Sequence, residues 1–159
     1  MEKRIFESVV NVCAMDELDD TERHLVQTAI EATGRSYAKY SNFKVGSALL
    51  LENGVEVMGC NQENAAYPVT ICAERTALFS AGAQYPDKAV VMLAIAARNE
   101  SGELLDEPVT PCGSCRQAII ETEQRFGRAI RILLYGTRHV YVIDGIRQLM
   151  PLSFTDEQM

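Results

Sequence analysis

No apolar run in the 159-residue chain approaches the roughly 20 residues needed to cross a bilayer as a helix. The stretch from Ile5 to Met15 is too short and too interrupted, by Glu7, Ser8 and Asn11, to form a signal-peptide core. A cytoplasmic protein without membrane contact is the expectation. Basic residues are scarce as well: 15 Lys and Arg stand against 22 Asp and Glu, and the basic ones are scattered. A net charge of −7 argues against nucleic acid as partner, because a phosphate backbone normally requires a basic stripe. A neutral small molecule suits this surface better. Internal repeats, low-complexity tracts and Pro/Gly/Ser linkers are missing too, which leaves a single domain.

What is present is ordinary for a globular chain, with 47% hydrophobic and 23% charged residues. The length suffices to bury a core without disulfide staples. Five cysteines are an odd number, and a cytosolic chain seldom keeps disulfides, so clustered cysteines point to metal binding or catalysis.

The first helix is expected to start near Asp19 or Asp20, whose carboxylates can accept the free N–H groups of its first turn. Leu25, Val26, Ala29, Ile30 and Ala32 follow at helical spacing. Val45–Leu51 and Val55–Cys60 read as strands joined through Asn53-Gly54, a pair that tolerates the positive φ of a tight turn. A helix is expected from about Cys72 through Ala77, Leu78 and Ala81 to Gly82. Ala89–Ala97 is almost wholly apolar, as in a strand buried on both faces, although its alanines also allow a helix. The polar Asn99–Val109 reads as a loop, and a further helix should start near Ser114 with Ala118, Ile119 and Ile120 on its inner face. Ile130–Tyr135 and Val140–Ile143 read as closing strands, and Ile146–Met150 as a last helical turn stopped by Pro151. This order implies an α/β fold, a mixed sheet with helices on both faces.

Three cysteines carry chemistry: Cys72, and the pair in Pro111-Cys112-Gly113-Ser114-Cys115. A Cys-x-x-Cys pair lets two sulfurs converge on one metal, and Gly113 eases the turn between them. Cys72 and Cys115 fall near expected helix starts, where unpaired N–H groups favour thiolates. Three ligands leave the fourth tetrahedral position open, as a catalytic zinc requires. The pair alone reads equally as a redox dithiol or as half of a structural zinc knuckle. A structural site would want a fourth ligand, yet His24 and His139 lack ligand spacing, and Cys13 and Cys60 lack partners nearby. Glu74 lies two residues after Cys72. It reads either as a carboxylate complementing a helix dipole or as one that moves a proton beside a metal-bound water. Arg75 reads as a surface cation or as a donor to the cysteine sulfurs.

Thr70-Ile71-Cys72-Ala73-Glu74-Arg75-Thr76-Ala77 and Pro111-Cys112-Gly113-Ser114-Cys115-Arg116-Gln117 are joined by two further blocks, Tyr40–Gly46 and Asn61–Tyr67. Three cysteines, a non-ligand Glu and a Pro-Cys-x-x-Cys run form a known signature of zinc deaminases. In these four blocks, in this order, the chain resembles the small cytidine deaminase family from about Asp20 to Phe154. The resemblance implies a three-layer α/β/α fold with a mixed five-stranded sheet, covering residues 19–159 after an N-terminal extension at 1–18. It implies one zinc ion per chain on Cys72, Cys112 and Cys115, with Glu74 as base and then acid. The activity implied is hydrolytic deamination of cytidine and deoxycytidine, a step of pyrimidine salvage.

By position, the resemblance has Asn61 and Glu63 hydrogen-bond the ribose hydroxyl, where the residues alone read as a polar loop. It sets Phe43 against the pyrimidine ring, where an isolated Phe before a strand reads as core. Glu74 and the Ala73 N–H would read the base, and the Thr110 carbonyl would accept from the leaving amino group. Arg75 would sit behind the sulfurs. Tyr67 and Phe154 match positions that family homotetramers contribute to a neighbouring subunit's site; without that match they are surface aromatics. The chain departs from the family in its extension before Asp19, which reads as an extra strand or a helical arm, in Ser47 where alanine is usual, and in a somewhat long Asn99–Val109 loop. A deaminase of another nucleoside, such as blasticidin S, and a non-catalytic zinc-binding module are the competing readings.

Overall fold

The computed structural model describes residues 1–159, the side chain of Glu157 excepted. Asp19 caps the first helix, α1 (Asp20–Ala32): its carboxylate accepts from the Glu22 N–H, while the Glu22 side chain reaches back to the Asp19 N–H. Strands β2 (Lys44–Leu51) and β3 (Glu56–Cys60) form the expected hairpin, with Gly54 at φ +82° in its turn. Helix α2 (Ala73–Gln84) follows, then strand β4 (Val90–Arg98). Helix α3 (Gly113–Phe126) ends on Gly127 in the left-handed conformation, ahead of strands β5 (Arg131–Tyr135) and β6 (Val140–Asp144). Ile146–Gln148 makes the turn expected before Pro151, as a 3₁₀ helix, and a second 3₁₀ turn follows at Asp156–Gln158.

The sheet has six strands where five are expected from the sequence. The extra one is β1 (Asn11–Cys13), in the N-terminal extension, which pairs antiparallel with β6 and takes the edge. The order is β1-β6-β5-β4-β2-β3, with β4 and β5 parallel and every other pair antiparallel. Ala89–Ala97 is therefore a strand, and an inner one. Leu93 to Ala97 are buried on both faces.

The two faces differ in bulk, and this sets the layers. Ala48, Ala94 and Ala96 face α1 and pack against Leu25, Val26 and Ala29. Leu49, Leu93, Ile95, Ile132 and Leu134 face α2 and α3 and pack against Ala77, Leu78, Ile119 and Ile120. Burial of each such Leu or Ile stabilises by about 1.5–3 kcal/mol. The larger face thus lies under the two helices whose first turns carry the cysteines. Gly59 lets α2 come closest. A Cβ there would lie 2.4 Å from the Ala73 carbonyl oxygen and 2.6 Å from the Ala77 nitrogen.

Candidate active site

Cys72 is the N-cap of α2 and Cys112 the N-cap of α3, so both helices begin at one place. Neither cap uses its side chain on its own helix, which leaves the sulfurs free and next to unpaired N–H groups. α3 starts at Gly113, and Cys115 is its third residue. Cys72 Sγ lies 3.9 Å from Cys112 Sγ, Cys112 Sγ lies 3.5 Å from Cys115 Sγ, and all three fall within 4.8 Å of one another. Tetrahedral zinc with Zn–S bonds of about 2.3 Å needs sulfurs about 3.8 Å apart, so this trio fits the ion. Among the described residues no His, Asp, Glu or further Cys joins the cluster. The fourth position is left to the cleft, as in a catalytic rather than a structural zinc site.

Cys72 is the sulfur most readily held as thiolate. Hydrogen bonding from the Cys115 thiol, then from Arg75 and Cys112, draws its pKa down to about 5 against the opposing effect of burial. The same contact with Cys72, followed by burial, raises Cys115. Arg75 Nη2 sits 3.7 Å from Cys72 Sγ, so its guanidinium serves the sulfur and is no free surface cation.

Glu74, the second residue of α2, is only 5% exposed. Burial raises its pKa above the ordinary carboxylate value. A carboxyl shifted this way holds a proton closer to neutral pH, which suits proton transfer. Ser47 Oγ donates to the Ala73 carbonyl oxygen at 2.8 Å, tying this first turn to β2 within the buried layer. The departure at Ser47 is thus an extra anchor beneath the site.

Glu74, Cys72 and Cys112 open onto a cleft of about 310 Å³, whose walls include Phe43, Asn61, Glu63, Ala73 and Thr110. Asn61, 9% exposed, accepts from the Val45 N–H at 2.8 Å and donates to the Phe43 carbonyl at 2.9 Å. It thereby fixes the turn that presents Phe43, and it keeps one N–H and one lone pair for a ligand. Glu63 accepts from the Tyr40 N–H at 2.7 Å and from the Ser41 N–H and hydroxyl. The Ser41 hydroxyl is the largest influence holding its carboxyl below the usual range.

Tyr67 and Phe154 lie apart from this wall. Tyr67 is 70% exposed, sits edge-on to Tyr40 at 5.9 Å, and flanks an outer recess continuous with the cleft through Ser41, Glu63 and Thr70. Phe154 is 60% exposed on the C-terminal segment and is not among the residues lining its own chain's cleft. Sequence reasoning assigns no role to Ser41, Val45, Thr70, Ile71, Ile95 and Val109, which complete the wall. Ser41 and Val45 carry a signal, standing inside the Tyr40–Gly46 block, as do Thr70 and Ile71 at the head of the Thr70–Ala77 block.

Residues 19–128 match the family model described as the cytidine and deoxycytidylate deaminase zinc-binding region. A cytidine deaminase of Sporosarcina psychrophila is 44% identical over 135 residues, covering 85% of this chain and 92% of that protein. One of Halalkalibacterium halodurans is 38% identical over 135 residues, covering 85% and 95%. The crystal structure of cytidine deaminase from Burkholderia pseudomallei superposes with a TM-score of 0.71 at 35% identity, covering 86% of this chain and all of that one. With its three sulfurs at zinc spacing and its buried carboxylate beside them, the chain belongs to the zinc-dependent cytidine and deoxycytidylate deaminase family.

Proposed function

We propose that this chain hydrolyses cytidine and deoxycytidine to uridine and deoxyuridine with release of ammonia, through the residues of the cleft between α2, α3 and β2. The observation that carries the reading is a three-thiolate cluster, open on its fourth side, beside a buried carboxyl. Zinc held by Cys72, Cys112 and Cys115 supplies an acidified water, with a pKa lowered to about 7. Glu74 moves the protons. Its carboxylate takes one in the cleft, delivers it to N3 of the pyrimidine as water adds at C4, and carries a second to the exocyclic nitrogen, which leaves as ammonia. The Ala73 N–H donates to the base and the Thr110 carbonyl accepts from the amino group. Phe43 lies along the ring and excludes water from one face.

Asn61 and Glu63 bind the ribose hydroxyl with their remaining hydrogen-bonding capacity. Glu63 is held ionised by its three donors, and no Lys or Arg lines the cleft or its outer recess. A substrate phosphate there would meet like charge without a cation, which favours nucleosides over nucleotides. The enzyme works in the cytoplasm as a homotetramer, in which Tyr67 and Phe154 complete the sites of neighbouring subunits. The exposure of both side chains, and the absence of Phe154 from the wall of its own chain's cleft, support this. Among the described residues no helix is long and apolar enough to cross a membrane.

The test is ammonia release from cytidine, deoxycytidine, cytosine, CMP, adenosine and blasticidin S. Turnover of the two cytosine nucleosides above all others is expected. Release confined to CMP or to blasticidin S would replace the proposed substrate.

A further inference from the structure

The residue after the last sulfur ligand joins two regions far apart in sequence. Arg116, half-buried on the first turns of α3, donates from Nε to the Pro111 carbonyl at 2.8 Å and from Nη1 to the Leu149 carbonyl at 2.8 Å. Pro111 O belongs to the peptide that enters Cys112, one residue beyond Thr110. Leu149 closes the 3₁₀ turn from which the C-terminal segment departs. A planar guanidinium can serve both carbonyls at once in fixed directions, which an ammonium on a flexible stem does not do. Further along α3 the same segment is held by Gln117, which donates to the Phe154 carbonyl at 3.0 Å, and by Gln124, which donates to Asp156 at 2.8 Å.

The geometry points to Arg116 as the positioning residue of the metal loop: one guanidinium locks the Pro111–Cys112 peptide to the base of the C-terminal segment and so sets Cys112 for zinc. This deepens the reading above and rests on Cys112 and Cys115 being ligands. Arg116 is not part of the cleft wall. It acts through Pro111, and its loss frees the peptide that aims the Cys112 sulfur and the Thr110 carbonyl. Groups that orient metal ligands in this manner are worth about 10–100-fold in metal affinity. The same lock ties the metal loop to the segment that leads to Phe154, whose own carbonyl is held by Gln117.

The experiment compares purified wild type with Arg116→Met, Arg116→Lys and Gln117→Ala. Zinc affinity is measured by competition with a chromophoric chelator, and trypsin cleavage after the exposed Arg147 is followed in parallel. Arg116→Met keeps the aliphatic stem and is expected to bind zinc about 10–100-fold more weakly and to be cleaved faster. Arg116→Lys should recover only part of that affinity. It also carries the test if the Met variant does not fold. Gln117→Ala, which loses only the Phe154 carbonyl bond, should hold zinc as wild type does. Wild-type zinc affinity in folded Arg116 variants, with only melting temperature lowered, would overturn the inference. So would an equal loss of affinity in Gln117→Ala. In either case wild type still binds zinc and the ligand assignment stands, whereas a wild-type chain that binds none would sink that assignment instead.

Discussion

A single methyl group placed under α2 should disable the site without replacing any residue that lines it. At Gly59 an added Cβ meets the Ala73 carbonyl oxygen at 2.4 Å, the Ala77 nitrogen at 2.6 Å and the Ala77 Cβ at 2.8 Å. Two of these atoms belong to helix backbone and cannot rotate away. Ordinary contact begins at 3.4 Å, so the first turn of α2 must retreat by about 1 Å. Overpacking of this kind costs about 1–3 kcal/mol. For a chain of this size, Gly59→Ala should lower the melting temperature by about 3–10 °C. The catalytic loss should be larger than that stability change suggests. Cys72 caps the displaced turn and Ala73 and Glu74 are its first residues, and a misplacement of about 1 Å costs about 10²-fold. The assay is calorimetry of the zinc-loaded protein together with kcat on cytidine. Adding Ala77→Gly removes only the 2.8 Å contact, so the double variant should stay impaired. Wild-type melting and wild-type kcat in Gly59→Ala would refute the reasoning.

Replacing Cys72, Cys112 or Cys115 by Ala should remove zinc and activity together, from about one ion per chain in wild type. Loss of activity at full zinc occupancy in all three variants would contradict the ligand set. Cytosine, lacking the ribose that Asn61 and Glu63 bind, should react about 10⁴-fold less efficiently than cytidine, and Glu63→Ala should damage cytidine turnover chiefly. Equal rates on base and nucleoside would contradict those roles. Co-expressed Glu74→Ala and Phe154→Ala chains should regain activity above either parent at sub-saturating cytidine, because some mixed sites hold both intact residues. Mixed tetramers showing only the parental average would confine Phe154 to its own chain.

Much of this architecture was legible because its signals are local. Asp19 and Asn53-Gly54 each specify their own element within a few residues, while the apolar Ala89–Ala97 allowed a strand or a helix until its place inside the sheet decided it. Strand β1 was legible only as one of two alternatives, an extra strand or a helical arm, and its place in the sheet was not. Asn11–Cys13 is three residues long and mostly exposed, and its partners Val140–Val142 lie across the chain. The three sulfurs and Glu74 were readable from their motif blocks, although only the structure shows that both helix caps converge on one point. The supports beneath them were hidden by sequence distance: Ser47 reaches Ala73, Asn61 reaches Phe43 and Val45, and Arg116 reaches Leu149.

The central claim is that Glu74 carries the protons, and the substitution that isolates it is Glu74→Gln. The amide keeps the size and burial of the side chain and removes its ability to take and give a proton. Zinc content by atomic absorption and kcat on cytidine should be measured on the same preparation. The account predicts about one zinc per chain, retained substrate binding, and a kcat lowered by at least about 10²-fold. A zinc-replete Glu74→Gln enzyme with near-normal kcat would contradict it and reduce Glu74 to a carboxylate at a helix start.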